Sequence, residues 1–128
     1  MRRRIIFLMV AMLVFTAFQG FAEEYDKEAV VRVMRGNVDY LGKMKTAMDA
    51  KDFFTVAQHL WGISEGMRSI RQYTPYRGEK KAWDRTIDEF LSTAYQGIGA
   101  CGDQDLPRLQ EVFGKLRAFS SQGHGMFR

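Results

Sequence analysis

Apolar residues recur along this chain at alternating intervals of three and four. From Tyr25 to Ala50 the series is Val30, Met34, Asn37, Leu41, Met44 and Met48. That spacing is an a/d seam and predicts a helix with one face toward partner helices. Asn37 is the polar member of the seam, a residue type that commonly fixes helix register. Asp49 to Asp52 is a polar break, and Asp52 can N-cap the next segment. That segment, Phe53 to Gln72, repeats the seam with Phe53, Val56, Leu60, Ile63, Met67 and Ile70. Pro75 disfavours helix at Thr74, so Tyr73 to Gly78 reads as a link. A third segment, Glu79 to Ala100, carries Trp83, Ile87, Phe90, Ala94 and then Ile98 or Cys101, with Cys101-Gly102 closing it. Asp103 or Asp105 caps a fourth, which shows Leu109, Val112, Phe113, Leu116 and Phe119 and tolerates Pro107 in its first turn. No stretch alternates with a period of two. The expected fold is all-α, an antiparallel up-down four-helix bundle.

The first 22 residues follow a different pattern. Arg2, Arg3 and Arg4 precede an apolar run from Ile5 to Phe18, and Gly20-Phe21-Ala22 offers small residues at the two positions a signal peptidase reads. This is the arrangement of a secretory signal peptide, which assigns 1–22 to a leader and 23–128 to the bundle. An uncleaved N-terminal anchor is the alternative. Cleavage implies a periplasmic or secreted protein with no membrane attachment. It also changes the charge. The full chain is +4, but removing Arg2 to Arg4 from its 19 Lys and Arg leaves 16 against 15 Asp and Glu. A near-neutral domain offers no electrostatic case for nucleic acid. A partner surface would be a local patch such as Arg77, Lys80 and Lys81. Cys101, the one cysteine, has no internal partner for a disulfide and reads as a small buried hydrophobe, with pairing to another chain as the alternative.

The potential ligands cluster at the end of the chain, Ser120-Ser121-Gln122-Gly123-His124-Gly125-Met126-Phe127-Arg128. His124 lies eleven residues after Phe113, close to three helical turns, so a continued helix would put both on one side. The glycines beside it weaken that helix. His59 has no matching ligand at metal spacing and reads as a partly exposed surface residue. Trp61 and Trp83 read as packing residues, Lys80-Lys81 as a solvated helix start, and the methionines on the seams as core filler. No nucleophile–base pair or phosphate loop is visible, so an enzyme is not expected.

The ending His124-Gly125-Met126-Phe127-Arg128 resembles the close of the cytochrome c-prime family, His-x-x-aromatic-Arg, and that of the soluble b-type bundle cytochrome sharing its fold. Arg32 or Arg35 with Met34, then Asn37, Leu41 and Met44, resembles the family's first helix; Trp83 with Phe90 resembles its third. The resemblance implies a haem protein with an electron-transfer or small-gas-binding role and a redox partner protein. It implies His124 as the iron ligand, Met34 as axial ligand or distal wall, Arg32 or Arg35 and Arg128 toward the haem carboxylates, and Phe127 beside the site. It also implies a homodimer through the first two helices, which exposed Phe54 or Trp61 would suit. The family's Cys-x-x-Cys-His is absent, because Ser120 and Gly123 occupy the cysteine positions. Neither adds to a haem vinyl group, so covalent haem c is not expected and haem b would be held by ligation and burial. The alternative is a haem-free member acting as a helical binding or structural module. N-terminal sequencing of the exported protein should begin at Glu23; a start at Met1 supports the anchor instead.

Overall fold

A computed structural model describes residues 23–127, with side chains through Gln122. The leader and Arg128 lie outside the described residues, as do the side chains of His124 and Phe127. Four helices follow in order: α1 (Lys27–Asp49), α2 (Phe53–Ile70), α3 (Lys80–Gly102) and α4 (Leu106–Phe127). Each packs along the next as a helical bundle, and of the helix pairs that meet among the described residues, α1 and α4 do so least. The described part contains no strand, only an isolated bridge between Glu23 and Tyr73.

The seams form the core. Met44, Val56, Leu60, Ile63, Ala94, Leu109 and Leu116 are fully enclosed, and Trp83, Ile87 and Phe90 are nearly so. Met34, Phe53, Phe113 and Phe119 lie half-buried at its edges. Asn37 is buried and donates from Nδ2 to Met67 Sδ at 3.2 Å, tying α1 to α2. The buried Ser64 hydroxyl is satisfied within its own helix by Leu60 O at 2.8 Å.

The α1–α2 and α3–α4 links are built alike. Lys51 and Gln104 take left-handed backbone with φ of 53° and 51°. Lys51 N–H bonds Met48 O and Asp52 N–H bonds Ala47 O; Gln104 N–H bonds Cys101 O and Asp105 N–H bonds Ala100 O. These are Schellman closures at helix ends, here without the usual glycine. The third helix ends at Gly102, as Cys101-Gly102 leads one to expect, and Asp103-Gln104 makes the turn that follows. The third link residue then starts the next helix. Asp52 accepts from Thr55 N and Oγ1 at 3.2 and 2.6 Å, and Asp105 accepts from Arg108 N at 3.2 Å. Thr55, chiefly through its hydroxyl, holds the Asp52 carboxyl below its ordinary range. The cap is thus fully formed at neutral pH and is lost on acidification through that lowered pKa, below about 4.

The α2–α3 link is held differently. Lys80 Nζ donates to the carbonyls of Arg71 and Tyr73 and to Asp84 Oδ1, collecting the end of α2 onto the start of α3. The reading of Lys80 as a solvated helix start is corrected on this ground, since an ammonium with three acceptors in a half-buried position ties two elements together. Trp83 Nε1 adds a bond to Ile70 O at 3.1 Å. Glu23 N–H bonds Gln72 O and Thr74 N–H bonds Glu23 O, so the start of the described chain is stitched to this link.

Glycine sets how closely α2, α3 and α4 approach. A Cβ at Gly97 would lie 2.8 Å from Leu60 Cδ1 and 2.9 Å from Val112 Cγ1. Gly97→Val should therefore destabilise the protein by about 2 kcal/mol through overpacking. Gly99→Ala, where a Cβ meets nothing within 4 Å, should stabilise it by up to about 1 kcal/mol. Urea unfolding of both variants checks the pair.

Candidate functional site

The sparse α1–α4 seam leaves a groove of about 430 Å³. Val38, Leu41, Gly42 and Lys45 of α1 line one side, and Phe113, Arg117, Ser120 and Ser121 of α4 the other. Val38 is 63% exposed, an apolar side chain beside a groove rather than in the core. The Arg117 guanidinium lies 5.8 Å from the Phe113 ring centroid, a cation over the aromatic face on the groove wall. Two cations, Lys45 and Arg117, thus flank an apolar floor, with two hydroxyls nearby. The volume falls within the range of about 300–1,000 Å³ common for small-molecule sites.

Helical register relates the groove to the expected ligands. On α1, Met34 precedes Val38 by four residues and Lys45 by eleven, so all three share a stripe. Arg35 falls on the edge of that stripe, and Arg32 falls well to one side. Both arginine side chains are exposed, and neither lines the groove. On α4, His124 follows Arg117 by seven residues, two turns on, and the helix runs unbroken through it to Phe127. The expected weakening at Gly123 and Gly125 does not interrupt the backbone. The stripes ending at Met34 and His124 are therefore the stripes that line the groove. Sequence reasoning missed Val38, Gly42, Lys45 and Arg117. The available signal was to extend the Met34 and His124 stripes inward along their helices, where both meet a cation.

Elsewhere the chemistry is structural. His59 is half-buried with its ring 5.6 Å from that of Tyr40. Trp83 is buried, whereas Trp61 is 48% exposed, donates to Glu65 Oε1 at 2.7 Å and lies under Arg68; its expected role in packing is corrected accordingly. Among the described residues no three His, Cys, Asp or Glu side chains converge as a metal site. No described helix is long and apolar enough to cross a membrane. Comparison with protein families, with curated proteins and with solved structures finds no match to this chain.

Cys101 is buried and reduced. Burial pushes its thiol pKa up, which keeps the sulfur protonated and poorly nucleophilic. It should resist a thiol reagent in the native protein and react on unfolding; rapid native labelling would show that α3 opens locally.

Proposed function

We propose that this chain is an exported, antiparallel up-down bundle of the cytochrome c-prime type that binds haem b without a covalent bond, with His124 as the iron ligand. The observation that carries the reading is the α1–α4 groove. Val38, Leu41 and Phe113 offer apolar surface to a flat macrocycle, and Lys45 and Arg117 offer positive charge to its carboxylates. The helix stripes continue to Met34 and His124. A ligand between α1 and α4, rather than at the centre, follows from the filled interior, where Met44, Leu60, Leu109 and Leu116 are fully buried.

Bound haem supplies reversible one-electron iron chemistry and an axial position for small gases. The chain's own residues would present the imidazole, cover the ring faces and limit water. In this reading Met34 would ligate the iron or wall the haem face opposite His124, the resemblance would put Arg35, Arg128 and Phe127 at the ligand end of the site, Lys45 and Arg117 are the groove cations available to the carboxylates, and a redox protein would be the partner. The antiparallel arrangement is supported by how contacts run between neighbours. Tyr40 is opposite Gly62 while Val33 is opposite Gly66. Ile70 bonds Trp83 while Leu60 meets Gly97. Gly97 meets Val112 while Phe90 stacks edge-on with Phe119 at 6.1 Å. In each pair, rising numbers on one helix match falling numbers on the next.

A second reading, a haem-free module working through protein contacts, is favoured by a different observation. Phe54 is 73% exposed and shares the outer side of α2 with Trp61, a surface suited to a homodimer. Haem titration separates the two. The wild type should give a Soret band that His124→Ala abolishes, and Gly42→Leu should weaken haem binding at least tenfold by filling the groove, since a Cβ there meets no atom within 4 Å. Identical spectra for wild type and His124→Ala would remove the ligand assignment, and unchanged binding by Gly42→Leu would remove the groove.

A further inference from the structure

The start of the described chain is fastened to the α2–α3 end of the bundle. Glu23 pairs with Tyr73 as an isolated parallel bridge. Its N–H donates to Gln72 O at 3.0 Å, and its carbonyl accepts from Thr74 N–H at 2.9 Å. Tyr25 then sets its ring 6.0 Å from that of Tyr76. Asp26 follows at once as the N-cap of α1, accepting from Ala29 N at 3.1 Å. Glu24 and Tyr25 alone stand between bridge and cap, so Glu23 has little slack to lift away. The other side of the bridge is equally fixed. Lys80 Nζ holds the carbonyls of Arg71 and Tyr73, and Pro75 is buried.

The N–H of Glu23 is also the amide of the Ala22–Glu23 bond, where the leader reading puts the cut. A peptidase takes up the chain around that bond as an extended strand, and it needs the main-chain groups there free. In the bundle both main-chain polar groups of Glu23 are held by the α2–α3 link. We propose that this strap shields the cleavage site, so that leader removal succeeds only before the α2–α3 end closes, and a chain that folds first keeps its leader. This rests on the leader reading and is independent of haem. The reaction is a hydrolysis. The C–N bond between Ala22 and Glu23 breaks, and water supplies the hydroxyl gained by the Ala22 carbonyl carbon and the proton gained by the Glu23 nitrogen. The freed amine, largely an ammonium at neutral pH, can still donate to Gln72 O. The strap therefore closes on the product as well, and the order of cutting and folding decides between a released protein and an anchored one.

The test uses the full chain, signal peptidase in detergent micelles, and mass spectrometry of the products. Precursor diluted from urea straight into the assay should be cut at Ala22–Glu23. Precursor refolded beforehand should be cut at least about tenfold more slowly, because cutting then waits on local opening. Inserting Gly-Ser-Gly-Ser between Ala22 and Glu23 leaves Glu23 docked and carries the bond clear of the link. Refolded, this variant should be cut as fast as when it is diluted from urea. Hydrogen exchange should find the Thr74 amide protected in both refolded precursors. Equal rates for refolded and urea-diluted wild type overturn the shield and leave the leader reading standing. A refolded insertion variant that resists cutting as the wild type does also overturns the shield. A Thr74 amide that exchanges at the rate of a free peptide overturns the strap itself. An uncut chain under both conditions removes the leader reading and the proposal with it.

Discussion

The bundle depends on the close approach at Gly97. Leu60 from α2 and Val112 from α4 both occupy the space that a Cβ on α3 would take, so one missing methyl holds three helices at a common distance. Dispersion falls steeply with separation, and the fully buried neighbours of this point owe their close packing to that distance. α1 joins the unit by the same device on α2. There Tyr40 fills the space at Gly62, and Val33 lies 3.2 Å from where a Gly66 Cβ would be. Asn37 and Met67 add the polar tie that sets the register of the pair.

The groove is the counterpart of this pattern. Helices close where a glycine is covered by a neighbour's side chain. Gly42, on the α1 side facing α4, has nothing within 4 Å of its Cβ position, and neither has Gly114 on α4. No side chain fills either space, and the seam stays open along Val38, Gly42, Phe113 and Arg117. The core and the candidate site thus follow from one rule of packing, applied at one seam and left unfulfilled at another. The interior is full, and the seam left open carries two cations, Lys45 and Arg117, beside its apolar residues.

The links show how short polar segments assist. Two Schellman turns each hand the chain directly to an Asp cap, so three residues end one helix and begin the next. The longer Tyr73 to Gly78 link lacks that economy and is secured by Lys80 and by Glu23. Lys80, which looked solvated in the linear pattern, is among the side chains that hold this end together, with Trp83.

The seams were legible from sequence because burial on a helix repeats with its turn. Val30, Leu41, Leu60, Ile63, Ile87, Leu109 and Leu116 were all read at spacings of three and four, and all are buried. The buried state of Cys101 was legible for the same reason. Asp52 was readable as a cap because its chemistry acts within three residues. Helix ends were less so. Gly102 invites a stop and the helix ends there, but the left-handed position falls two residues on, at Gln104, where turn hydrogen bonds outweigh the local preference for glycine. What lies between α1 and α4 was beyond the linear pattern. Lys45 and Arg117 are more than seventy residues apart. Period alone marks them as solvent-facing cations on separate helices. Only the tertiary structure brings them to one groove, because the distance between two helices is decided by the side chains of every helix packed around them.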